Sequence, residues 1–161
     1  MTSTPAPSGP VVVEVEPTTT AVVRSVVPTT GLADFFDRAF GQLGAALAEQ
    51  GVAPTGAAFA LYHRAPDDTA DLEVGFPTAG AIEPRGDVEP SRLPGGRVAR
   101  AVHAGSFDGL GDAWGRLLDW VRAEGLEPGP TEAFWEVYLT EPSPDMDPAD
   151  LRTELNRPVA G

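Results

Sequence analysis

The 161-residue chain carries 24 acidic and 11 basic residues, a formal charge of −13, and no cysteine. Such a charge opposes binding to nucleic-acid phosphates and favours cationic ligands. The lack of cysteine excludes thiol catalysis, disulfides and cysteine zinc sites, and the length fits one ordinary domain or two small fused halves.

Met1 to Pro10 is small, polar and proline-rich, so a disordered tail is expected there. It has neither the basic nor the apolar region of a signal peptide, and no apolar run approaches the about 20 residues that cross a bilayer. A soluble cytoplasmic protein without a membrane partner is expected. Val11 to Glu16 and Thr18 to Val27 are rich in β-branched residues and are separated by Pro17, giving one bent strand or two short ones.

Leu32 to Gln50 has the spacing of an amphipathic helix, with Leu32, Phe35, Phe36, Ala39, Phe40, Leu43, Leu47 and Ala48 on its apolar side. Thr30 is its expected N-cap and Gly51 its left-handed terminator. Ala57 to His63 and Asp71 to Phe76 read as a strand pair across an acidic loop. Ala79 to Pro94 offers at most a short edge strand. Gly96 to Ala104 is a further strand, and Leu110 to Glu124 a second helix with Asp108 as cap and Leu110, Trp114, Leu117, Leu118 and Val121 on one stripe. Trp114 on that stripe reads as core.

The strand Phe134 to Leu139 follows. Alternate residues of a strand share a face, so Phe134, Glu136 and Tyr138 point one way and the apolar Trp135, Val137 and Leu139 the other. A carboxylate between two rings suits a pocket for a flat or cationic guest; it also suits an ordinary solvated sheet face. Glu141 to Pro148 is an acidic loop, and Leu151 to Asn156 a closing strand.

The two halves repeat one order: strand, helix, Gly-x-x-Pro turn, strand, strand. Gly51 and Pro54 correspond to Gly125 and Pro128, and at the same offset Tyr62 falls opposite Glu136. The expected fold is α+β: tandem β-α-β-β units, about 11–90 and 91–161, sharing an antiparallel sheet. Two helices would cover one face and a ligand groove would open on the other, with Tyr62 and Glu136 looking into it.

Other candidates carry less. His63 and His103 lie far apart in sequence without a His-x-x-x-His pair, so no metal is expected. Ser106 lacks a nucleophile-elbow frame. Gly95-Gly96 precedes no helix or lysine, so no phosphate loop and no cofactor is expected. Phe76 and Phe134 fit a pocket wall or the core equally.

Five stretches together resemble the GyrI-like effector-binding domain family: Phe59 to His63, Asp71 to Pro77, Leu93 to Ala99, His103 to Leu110 and Trp135 to Thr140. That family includes the ligand domains of AraC-type and MerR-type transcription regulators, and the resemblance spans about Val11 to Val159. It implies a duplicated β-α-β-β fold and a glutamate, here Glu136, on the floor of a pocket for hydrophobic, aromatic or cationic compounds. Tyr62 matches an aromatic pocket position. The ligand-binding set expected is Tyr62, Phe76, His103, Phe134, Glu136 and Tyr138.

Three functions follow as expectations. The first is a small-molecule-binding module. The second, also implied by the resemblance, is a hydrolase of cyclopropane-containing genotoxins, with Glu136 as general acid or base and Tyr62 or Tyr138 stabilising the leaving phenolate. The third is a protein partner, a regulator or DNA gyrase, met through the acidic surface. About ten residues precede the first strand, so no DNA-binding domain and no direct nucleic-acid contact are expected.

Overall fold

The computed structural model describes residues 9–129, 132–140 and 144–160. The expected tail therefore falls largely outside the described residues, as does the start of the acidic loop after Thr140. One antiparallel sheet of eight strands carries two helices. The strands are β1 (Val11–Val15), β2 (Thr18–Pro28), β3 (Phe59–Tyr62), β4 (Thr69–Pro77), β5 (Val88–Leu93), β6 (Gly96–Ala104), β7 (Phe134–Tyr138) and β8 (Arg152–Pro158). Helix α1 spans Leu32–Gln50 and α2 spans Leu110–Ala123. Neither helix is long and apolar enough to cross a membrane.

The strand order is β1-β6-β8-β7-β3-β4-β2-β5. Pro17 separates two strands that part completely: β1 pairs with β6 at one edge, whereas β2 pairs with β4 and β5 at the other end. The chain from Ala79 to Pro94 contributes only β5, an edge strand on β2.

α1 follows its sequence pattern. Phe35, Ala39, Leu43, Ala46 and Leu47 are buried, and Gly51 closes the helix in the left-handed region at φ 67°, where glycine has no steric penalty. The expected caps differ. A 3-10 turn, Thr29–Gly31, leads into α1, so Gly31 rather than Thr30 occupies the N-cap. Another, Phe107–Gly109, leads into α2, which places Asp108 inside that turn and Gly109 at the cap. In each case the extra turn absorbs the residue that would have capped the helix.

Register decides where the core and the site lie. Cross-strand partners share a face, and one row runs Val88–Val23–Val74–Ala60–Glu136–Leu155–Ala101 over seven strands. Both helices lie over this face. α1 packs on β2, β4 and β5, and α2 on β6. The apolar cluster under α1 contains Val23, Val74, Ala60 and Leu72; that under α2 contains Ala99, Leu155, Leu117 and Val121. The paired central strands β3 and β7 fall between the helices.

The opposite face carries a third cluster, including Val22, Phe59, Leu61, Val98 and Trp135. Trp135 and Val137 thus reach apolar surroundings as their alternation requires, but Leu139 lies beyond β7 and is exposed.

Candidate functional site

Glu136 is the one ionisable residue in that seven-strand row, placed where the cover passes from α1 to α2. It is 7% exposed. Its two oxygens are held separately: the Trp114 indole Nε1 donates to Oε2 at 2.7 Å, and the Tyr138 hydroxyl donates to Oε1 at 3.0 Å. Burial pushes the Glu136 carboxyl above the ordinary carboxylate value, opposed by the Trp114 and Tyr138 bonds and by nearby His103. The result is a carboxylate with its bonds made but its charge poorly solvated.

Beside it lies a cavity of about 870 Å³, within the range of small-molecule sites. Tyr62, Phe134 and Glu136 from the sheet and Leu110, Trp114 and Leu118 from α2 line it, with Arg64, Arg122 and Arg157. The Tyr62 and Phe134 rings stack with centroids 5.2 Å apart and planes 9° from parallel, because the two residues are register partners on β3 and β7. Trp114 meets Phe134 edge-on at 4.8 Å. Burial and the Glu136 charge both raise the Tyr62 hydroxyl above its ordinary pKa, so it stays neutral and available as a donor.

The cavity lies on the helix-bearing face, which corrects the expectation of a groove on the opposite one. Strand parity is the reason: Glu136 shares its face with Ala60, Val74 and Leu155, the residues that α1 and α2 cover. A smaller cavity, about 410 Å³, does lie opposite, lined by Phe59, Trp135, Val137 and Leu93 among others, but neither Tyr62 nor Glu136 borders it.

The helices also fix which side of the seam stays open. α1 fills its side with rings: Phe36 contacts Tyr138, and Phe40 contacts Phe76. On α2, Ala113, Leu117 and Val121 face the sheet. Trp114, Leu118 and Arg122, each one position further on, continue with Leu110 at four-residue spacing as a second stripe along the cavity.

Of the six expected ligand-binding residues, Tyr62, Phe134 and Glu136 line the cavity together. Phe76 packs on Phe40 under α1. Tyr138 stands behind Glu136, against Phe36 and Phe107, and its hydroxyl pKa is raised by burial and by the Glu136 charge. His103 bonds the Ser106 carbonyl at 2.8 Å and sits against Gly109 at the start of α2. His63 lies on the other face, 3.0 Å from Glu73, whose second oxygen accepts from Ser91. The two histidines therefore cannot share an ion, and no group of three or more metal-ligating side chains occurs among the described residues.

Sequence reasoning assigned Trp114 to the core and did not single out the three arginines. A signal for Trp114 existed: an indole N–H on a helix's apolar side needs an acceptor when buried, and Glu136 was the carboxylate already suspected of facing inward.

The sequence profile of the GyrI-like small molecule binding domain matches residues 9–160. The chain belongs to the GyrI-like family. Among solved structures this GyrI-like chain is similar to the EcmrR C-terminal domain, at TM-score 0.81 and 21% identity, over 94% of this chain and 96% of that one. Against the EcmrR chain of an EcmrR–DNA complex it covers 93% of itself but only 56% of the other (TM-score 0.79, 21% identity). It is also similar to SAV2435 bound to tetraphenylphosphonium (TM-score 0.69, 12% identity, 96% and 95% covered). A hydrolase from Listeria innocua gives TM-score 0.64 at 14% identity over 94% and 91%. At these identities the likeness is one of fold. No curated protein sequence matches the chain.

Proposed function

We propose that this GyrI-like domain captures an aromatic, positively charged small molecule in the cavity beside α2, with Glu136 as its anchor. The observation that carries this is the Glu136 carboxylate, 7% exposed, bordering a cavity of about 870 Å³ with the rings of Tyr62, Phe134 and Trp114 around it. A desolvated carboxylate gains most from a cation or donor that also cannot keep its full water shell. Ring faces add cation–π attraction of about 0.5–2 kcal/mol per well-placed contact. SAV2435, of like fold, was solved with such a lipophilic cation.

The test is thermal unfolding with tetraphenylphosphonium. The wild type should melt at a higher temperature with the cation, and Glu136→Gln should lose that rise. A wild type unmoved by tetraphenylphosphonium and by a panel of aromatic dications would remove this reading.

A second reading, hydrolysis of a cyclopropane-containing compound, is favoured by the upward shift of Glu136, which makes its carboxylate a stronger general base. Glu136, positioned by Tyr138, would take a proton from a water whose oxygen bonds to a cyclopropane carbon; the ring C–C bond breaks, its electron pair passes to the conjugated oxygen, and Tyr62 donates to that oxygen. Mass spectrometry of a cyclopropanoid substrate distinguishes the two: ring opening at equal rates with wild type and Glu136→Gln rejects the catalytic role.

The same reading takes residues 11–161 as one binding domain of two related halves, about 11–90 and 91–161, with β1 and β5 at opposite edges. It is supported by the left-handed Gly51 and Gly125, at φ 67° and 69°, and by the matching bridges Pro54–Thr78 and Pro128–Val159.

A further inference from the structure

The cavity's charges run against those of the chain. The protein has 11 basic residues in all, every one an arginine, against 24 acidic ones. Three of the arginines, Arg64, Arg122 and Arg157, line this one cavity, with Glu132 and Glu136 as its carboxylates among the described residues. An acidic molecule has therefore placed an excess of positive charge around the mouth of a site whose inner carboxylate favours a cation.

Arg157 is the most closely placed of the three. It lies on β8 two residues beyond Leu155, the register partner of Glu136. With strands about 4.8 Å apart and a rise of about 3.4 Å per residue, the Glu136 and Arg157 Cα atoms stand roughly 8 Å apart on the same face. The two do not neutralise each other. Glu136 accepts from Trp114 and Tyr138. Arg157 donates Nη1 to the carbonyl oxygens of Glu132 and Ala133, at 2.9 and 3.3 Å, and makes no ion pair among the described residues. Its remaining guanidinium donors are left for a guest.

The other two are more remote. Arg64 is tied to Thr69 and Asp67 in the β3–β4 turn. Arg122 is exposed and, among the described residues, pairs with the surface carboxylate Asp119, a pairing worth little in water. Both are placed to add positive potential over the opening and, in the case of Arg122, to swing towards an incoming anion.

We propose that the cavity takes an amphoteric aromatic molecule, with a basic nitrogen directed at Glu136 and an anionic oxygen group directed at Arg157. This rests on the small-molecule reading above and narrows it: the guest is a zwitterion rather than a simple cation. Phe134 stands beside both charged groups, next to Glu136 along β7 and across from Arg157 on β8, with Tyr62 stacked on its far side, so ring faces flank the space that a flat apolar body would take.

The test uses three matched probes: an aminomethyl-naphthoic acid (zwitterion), its methyl ester (cation) and the methyl-naphthoic acid (anion). Titration calorimetry of the wild type should rank the zwitterion about tenfold or more above the ester, the effect expected for one charge-assisted contact. The preference should fall to about one in Arg157→Gln, and should shrink less in Arg122→Gln. Because the ranking is measured first in the wild type, a misfolded variant does not decide the matter. Equal or tighter binding of the ester, with Glu136→Gln weakening it, overturns the zwitterion proposal and leaves the cation-capture reading standing. If none of the three binds and tetraphenylphosphonium also fails to raise the melting temperature, both fall together.

Discussion

Glu136→Gln separates charge from shape at the centre of the site. Glutamine can keep both bonds: its carbonyl accepts from Trp114, and its amide donates to the Tyr138 oxygen, whose hydroxyl rotates away. What is lost is the charge. A permanent cation such as tetraphenylphosphonium held about 5–6 Å from the carboxylate, at an effective dielectric near 20, gains about 3 kcal/mol from it. Desolvation of the cation offsets part of that gain, so the variant should bind about 10- to 100-fold more weakly at about pH 8.

The probe does not titrate, so any pH dependence belongs to the protein. Wild-type affinity should rise from pH 4.5, the ordinary carboxylate value, towards about pH 8 as Glu136 loses its proton, and the variant's should stay flat. Stability should move in the opposite sense. The folded-state pKa of Glu136 lies above its ordinary value of 4.5, so its contribution to wild-type stability is fully present below that pH. It is lost as pH rises through the folded pKa. The glutamine variant has no such loss, so its stability relative to wild type should improve with rising pH. Calorimetry and urea unfolding at both pH values read the two effects. Equal cation affinity of wild type and variant at the higher pH, or identical slopes with pH, would refute the electrostatic role given to Glu136.

Trp114→Phe removes the indole donor from Glu136 and should cost about 1.5–3 kcal/mol near pH 8, less at pH 4.5, where the raised pKa leaves more of the carboxyl protonated; urea unfolding with the same loss at both pH values would show that the bond to charge is not what matters. Tyr138→Phe should raise the Glu136 pKa further, read as a shift of the cation-affinity profile to higher pH; an unmoved profile counts against that bond. Leu117→Ala, at a side chain 1% exposed under α2, should lose about 2.7–5 kcal/mol in chemical denaturation. Gly75→Ala would drive a Cβ into the Ala21 carbonyl oxygen between β4 and β2, and should lower the melting temperature by an amount equivalent to more than about 3 kcal/mol.

Much was legible in the chain because it is governed by local rules. Helix α1 runs from Leu32 to Gln50 as its apolar spacing requires, and the alternation in β7 separates Trp135 from Glu136 whatever else the chain does. The acidity of the molecule, its lack of cysteine and the suspicion attached to Glu136 and Tyr62 are likewise properties of residue type and order. Tertiary structure decided what covers each face. Alternation states that Glu136 and Trp135 oppose each other; it does not state which of the two faces receives the helices, because that depends on how distant strands pair. Here the pairing of β3 with β7 brings Tyr62 onto Phe134, and the route of α2 over β6 makes Trp114, which packs against the core under that helix, a donor to Glu136 as well. The gathering of Arg64, Arg122 and Arg157 around one opening belongs to the same class: three residues from a turn, a helix end and a closing strand become neighbours only when the sheet is assembled.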